Sequence, residues 1–113
     1  MRFMLLIYDN AEPDRPTRSV HRDEWRRRLT VTGEWVSGRL LADACLTRTV
    51  RVGHGDTEVR SGGSTGAGRR LVGCFEVECE SFERAVRIAA EAPWPARRTV
   101  EVRPLMDEAG LEM

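Results

Sequence analysis

The 113-residue sequence predicts one α+β domain in the order β-α-β-β-α-β, with an extra small β-hairpin after the second strand. Three observations carry that expectation. The start "RFMLLIY" is apolar on both alternating faces, two helical patterns each run into a breaker, and the chain nears its end on the alternating "RTVEVRPL". A chain of this length fits a single core, and its modest stability favours pairing with another chain.

Each element has its own signal. In "RFMLLIY", Phe3, Leu5 and Ile7 share one face and Met4, Leu6 and Tyr8 the other, the pattern of a strand covered on both sides. "DNAEPDRPT" supplies turn residues, and Pro13 and Pro16 hold off any helix until about Arg18. From Ser19 to about Gly33, His21, Trp25, Leu29 and Thr32 recur along one helical stripe, with Gly33 as the stop. "EWVSGRLL" then reads as a short extended segment. "LTRTVRV" and "DTEVR", joined through "GHG", read as the extra hairpin. After the glycine-rich "SGGSTGAGRR", the run "LVGCFEVE" is again a strand. Ser81 caps a second helix that buries Phe82, Ala85, Val86, Ile88 and Ala89, and Pro93 marks its end. In the last strand Val100 and Val102 lie opposite Glu101 and Arg103, and Pro104 closes it.

This order is the ferredoxin-like split βαβ arrangement, an antiparallel sheet with two helices on one face. The other face offers Met4, Leu6 and Tyr8. Water is a poor cover for them, so the expected state is a homodimer with its two sheets packed face to face.

Charge and composition exclude several classes. Eighteen Lys and Arg balance eighteen Asp and Glu, leaving no net field toward nucleic acid or an anionic membrane. "WRRRL" at 25–29 fans around a helix axis and reads as a solvated face. No stretch is long and apolar enough to span a membrane, and "MRFMLLIYDN" lacks the small-residue cleavage site of a signal peptide, so a cytoplasmic location is expected. Cys45, Cys74 and Cys79 are odd in number and lack C-x-x-C spacing, which argues against bridges and zinc.

The glycine run is not a phosphate cradle. Gly63 and Gly68 match the Walker A spacing, but Arg69 and Arg70 stand where Lys and Ser or Thr belong. A dinucleotide loop must open a helix, and a strand follows here. No cofactor is therefore expected. The loop reads as a soft connection that becomes a lid if a pocket opens beneath it, with Arg69 or Arg70 available to a bound anion.

Three stretches, "MRFMLLIYDN", "GRRLVGCFEVE" and "SFERAVRIAAEAPWPARRTVEVRPLMD", resemble the YCII-related family, in particular the branch named for an Asp-Gly-Pro-Phe tetrapeptide. The resemblance covers nearly the whole chain. It implies a ferredoxin-like subunit of a dimeric α/β barrel, relatives that are small isomerase-like or lyase-like enzymes on ring compounds, and a His and Asp pair acting as an acid/base dyad. This chain departs at the tetrapeptide, which falls on Ser61-Gly62-Gly63-Ser64.

With no metal cluster or cofactor motif, the expected chemistry is proton transfer, for which histidine is the natural group. His21 shares its stripe with Trp25, where burial would favour the neutral base. Its spacing from Gly33 is one residue off that of the family's helix histidine. Asp43, in "LLADACL", is the partner carboxylate by its rough match to the dyad; Asp9, at the end of the first strand, is the reserve, and His54 reads as an exposed turn residue. Tyr8, Trp35 and Trp94, with Trp25, line either a pocket for a flat ring or the core and dimer interface. Arg103 holds a carboxylate or enolate oxygen, or else pairs with Glu101. Together these features predict a cofactor-independent isomerase, cyclase or dehydratase acting on a small ring-like or polyketide-like metabolite. The alternative is a non-catalytic metabolite-binding or accessory protein of the same fold.

Overall fold

The computed structural model describes residues 1–10, 20–62, 69–93 and 98–113. Strand β1 (Arg2–Asn10) is central, because both of its faces are apolar and both of its edges find partners. On one side β5 (Arg69–Glu78) pairs antiparallel, setting Phe3 against Val77 and Leu5 against Phe75, with a register shift between Ile7 and Tyr8. On the other side β6 (Thr99–Pro104) sets Leu5 against Val102, and β2 (Trp35–Leu40) flanks β5. The four-stranded antiparallel sheet has the order β2-β5-β1-β6. Among the described residues it stays open and does not close into a barrel. Strands β3 (Arg48–Val52) and β4 (Thr57–Ser61) form a separate two-stranded sheet, the predicted extra hairpin.

Helix α1 (Val20–Val31) ends as its glycine requires. Gly33 takes φ 79°, and the Gly33 and Glu34 amides donate to the Thr30 and Leu29 carbonyls at 3.1 and 2.8 Å, which caps the open end of the helix. Helix α2 (Phe82–Glu91) begins where Ser81 Oγ accepts the Arg84 amide at 3.1 Å. Trp25 and Leu29 of α1, and Ala85, Ile88 and Ala89 of α2, join Phe3, Leu5, Ile7, Phe75 and Val77 in one buried cluster. Both helices thus cover the same face of the sheet. Each fully buried apolar side chain contributes on the order of 2 kcal/mol to holding them there. The Trp25 Nε1–H also donates to the Ile88 carbonyl at 3.3 Å, tying α1 to α2.

The predicted buried face of α2 narrows. Phe82 and Val86 are 42% and 48% exposed, because a ten-residue helix lying on a sheet hides only the stripe beneath it. Strand β5 also starts two residues earlier than the apolar run, taking in Arg69 and Arg70. No helix among the described residues is long and apolar enough to cross a membrane.

Candidate ligand pocket

A glycine inside a strand marks a close approach, and Gly38 of β2 is such a residue. A Cβ there would lie 2.3 Å from Phe75 Cδ1 and 2.7 Å from Trp35 Cη2, so only glycine lets both rings lie across the strand. Trp25 comes in from α1 to complete the cluster. Its ring centroid is 5.9 Å from that of Trp35 and 5.6 Å from that of Phe75, both edge-on.

Beside these rings, between α1 and β2, a cavity of about 160 Å³ reaches the surface. Arg22, Asp23 and Arg26 from α1 and Arg39 from β2 form its rim, and Leu40 completes the wall. The Arg26 guanidinium sits 5.2 Å from the Trp35 ring centroid, a cation–π contact that holds positive charge over an aromatic wall. Arg39 Nη1 donates to the Gly38 carbonyl at 2.8 Å, which turns its guanidinium along β2. Three guanidinium groups and one carboxylate rim the opening. The arrangement suits a flat apolar body carrying negative charge.

A second cavity of about 430 Å³ lies between α1 and α2. Trp25 and Leu29 floor it, and Arg27, Arg28, Arg84 and Glu91 stand around it. Arg84 is committed to Glu34, reaching its two carboxylate oxygens at 2.8 and 2.7 Å. That bond holds the Glu34 carboxyl below its usual range against the opposing effect of burial, and it raises the Arg84 guanidinium further.

Topology gathers further charge at one end of the sheet. β1 and β2 run parallel, so their last residues, the start of α1 and the first residues of β5 and β6 all lie at that end. There Asp9, 8% exposed, is held by Arg70 Nε at 3.3 Å and Arg98 Nη1 at 3.7 Å. Asp43 lies at the same end, just beyond β2, exposed. Its Oδ1 accepts the Cys45 amide at 2.9 Å and opens a short 3-10 turn, Ala44–Leu46. That bond keeps the Asp43 carboxyl below its usual range, and the carboxylate in turn pushes the Cys45 thiol up.

The expected site residues therefore separate. Trp25 and Trp35 meet in the pocket. His21 occupies the first turn of α1, immediately before the rim residue Arg22, and its side chain lies outside the described residues. Trp94 is likewise outside them. Tyr8 and Arg103 sit on the opposite, helix-free face of the sheet, where Arg69 lies 5.0 Å from the Tyr8 ring centroid and 3.7 Å from Glu101, and Arg103 is placed across from Met4. Sequence reasoning missed Phe75, Gly38 and the three rim arginines, and of these only the strand glycine gave a signal. Among the described residues, no three of His, Cys, Asp and Glu gather as a metal site. Neither protein-family models nor curated proteins yield a match to this chain.

Proposed function

We propose that the chain is a cofactor-independent acid/base enzyme acting on a small, flat, anionic ring compound held between α1 and β2. The observation that carries this reading is the pocket of about 160 Å³, walled by Trp25, Trp35 and Phe75 and rimmed by Arg22, Arg26 and Arg39. A cavity of about 150 Å³ accommodates one benzene-sized ring, so the volume fits a monocyclic ligand. Its carboxylate or enolate oxygen meets the guanidinium rim, where bidentate hydrogen bonds fix its orientation. His21, at the start of the same helix, moves the proton. Asp43 or Asp9, at the same end of the sheet, supplies the negative charge that stabilises its protonated form.

The subunit is ferredoxin-like in this reading, supported by the strand order and by the resemblance of its ends to the YCII-related family. A homodimer covers the helix-free face, where Met4, Leu6, Tyr8, Leu71 and Cys74 remain partly or largely accessible. The free thiols of Cys45, Cys74 and Cys79 suit a reducing, cytoplasmic compartment.

The test is titration of tryptophan emission with benzoate, as a probe of binding alone, and with cyclohex-1-ene-carboxylate, followed by proton–deuterium exchange at the allylic carbon of the latter. Binding should be saturable, and Trp35→Ala should weaken it about tenfold through the lost ring contact. A flat titration at millimolar ligand would sink the pocket assignment. Binding without exchange, unchanged by His21→Ala, would leave a non-catalytic binding protein.

A further inference from the structure

The β3–β4 hairpin stands apart from the main sheet. Among the described residues its strands pair only with each other, and Val50, Val52 and Val59, on one of its faces, are 55%, 79% and 61% exposed. The radius of gyration is 16.1 Å, against about 13 Å for a compact domain of this length, as expected when an element projects outward. A lone two-stranded hairpin is marginal in water, and both its edges carry unpaired backbone groups.

One of those edges is built to pair with itself. Gly62 donates to the Thr47 carbonyl and Gly53 to that of Asp56. Hydrogen-bonded and non-bonded pairs alternate, so Glu58 and Arg60 bond inward to β3 while Thr57, Val59 and Ser61 direct their N–H and C=O groups to the free edge. An antiparallel copy of β4 centred on Val59 sets Val59 against Val59, Thr57 against Ser61, and Glu58 against Arg60 twice over. The run Thr57-Glu58-Val59-Arg60-Ser61 is thus self-complementary in charge as well as in hydrogen-bond phase. β3 is not: centred on Val50 it would set Thr49 against Arg51 and Arg48 against Val52.

We infer that β4 is a self-association edge, on which a second copy of this chain pairs its own β4 antiparallel across a two-fold axis to form one four-stranded sheet, β3-β4-β4-β3. In the isolated chain Glu58 and Arg60 pair with each other on the charged face, and Arg51 stands across from Glu58. In the pair, each also meets its opposite on the second copy. Four strands then replace two, which moves the arm from a marginal hairpin to a sheet of ordinary size. This edge is distinct from the helix-free face of the main sheet and does not depend on a dimer there.

Cross-linking tests it in the full chain. In a Cys45→Ser, Cys74→Ser background, Val59→Cys places two thiols across the axis with Cα atoms about 5.5 Å apart, within disulfide range. With dioxygen and a copper–phenanthroline catalyst, this variant should form a covalent dimer much faster than Val52→Cys, whose residue lies on β3 away from the axis. Adding Glu58→Arg sets like charges across both pairs and should slow the reaction about tenfold. Adding Arg60→Glu together with Arg51→Glu, which stands across from position 58, restores complementarity with reversed sign and should restore the rate. Equal cross-linking at 52 and 59, no response to Glu58→Arg, or no rescue by the full charge reversal would each overturn the inference. None of these outcomes bears on the pocket or on a dimer through the main sheet.

Discussion

The main sheet and the β3–β4 arm use the same period-two alternation and end in opposite situations. In β5 the alternate residues Phe75 and Val77 are buried beneath the helices, whereas in β3 and β4 Val50, Val52 and Val59 are largely exposed among the described residues. Alternation specifies a strand and its register, and what the apolar row covers specifies how firmly the strand is held. The main sheet is therefore a product of side-chain burial, and the arm mainly a product of backbone pairing.

Ile7 is fully buried on the central strand, between β5 and β6 and under both helices' cluster. Ile7→Ala removes buried methyl and methylene groups and leaves a cavity in the core cluster. Urea unfolding should show a loss of about 3 kcal/mol with an unchanged slope. A loss below about 1 kcal/mol would mean that the sheet, like the arm, rests mainly on its backbone.

The ion pairs make the same contrast in polar form. Glu34 and Arg84 are 14% and 26% exposed in their side chains and clamp the turn after α1 to α2, whereas Glu58 and Arg60 of the arm are 51% and 64% exposed. Exposed pairs are screened and contribute little, while a shielded bidentate bond contributes about 2 kcal/mol. The Glu34 carboxyl titrates below its unfolded value, chiefly through the Arg84 bond. Its stabilisation is therefore complete above the unfolded glutamate range, near pH 4.3, and is lost as pH falls through the lower folded value. Arg84→Ala should cost about 2 kcal/mol at neutral pH and flatten the acid limb of the stability profile, with Arg60→Ala leaving that limb unchanged. Parallel acid limbs in the wild type and Arg84→Ala would refute the assignment.

Much of the scaffold was legible because its signals are local. The two-faced apolar run of β1, Gly33 at the end of α1 and Ser81 before α2 each act within a few residues, and each stands where its chemistry placed it. The pocket was less legible, because it is made by side chains from separate elements. Trp25, Trp35 and Phe75 meet only once β2 has paired with β5 and α1 has settled over both. The partners of Asp9 were hidden for the same reason: Arg70 and Arg98 lie at the starts of strands that reach Asp9 only through the sheet register. Tyr8 and Arg103 teach a different lesson. Their parity on β1 and β6 already set them opposite Phe3, Leu5, Ile7, Val100 and Val102, so they belong to the helix-free face and not to the cluster of rings under α1.

The smallest effect is expected at the arm, where Val52 is 79% exposed and a smaller side chain gives up little buried area. At low protein concentration Val52→Ala should change stability by no more than about 0.5 kcal/mol, the range of surface positions away from special features. Val59→Ala should cost as little at low concentration, but if the arms of two copies pair its loss should grow with concentration, since Val59 then packs against its own counterpart across the axis, whereas the loss at Val52, on β3 away from the axis, should not. Unfolding midpoints measured across a hundredfold range of protein concentration separate the two situations. A constant small difference describes an arm that stays solvated, and a difference that widens with concentration describes an arm whose strands are completed by a second copy.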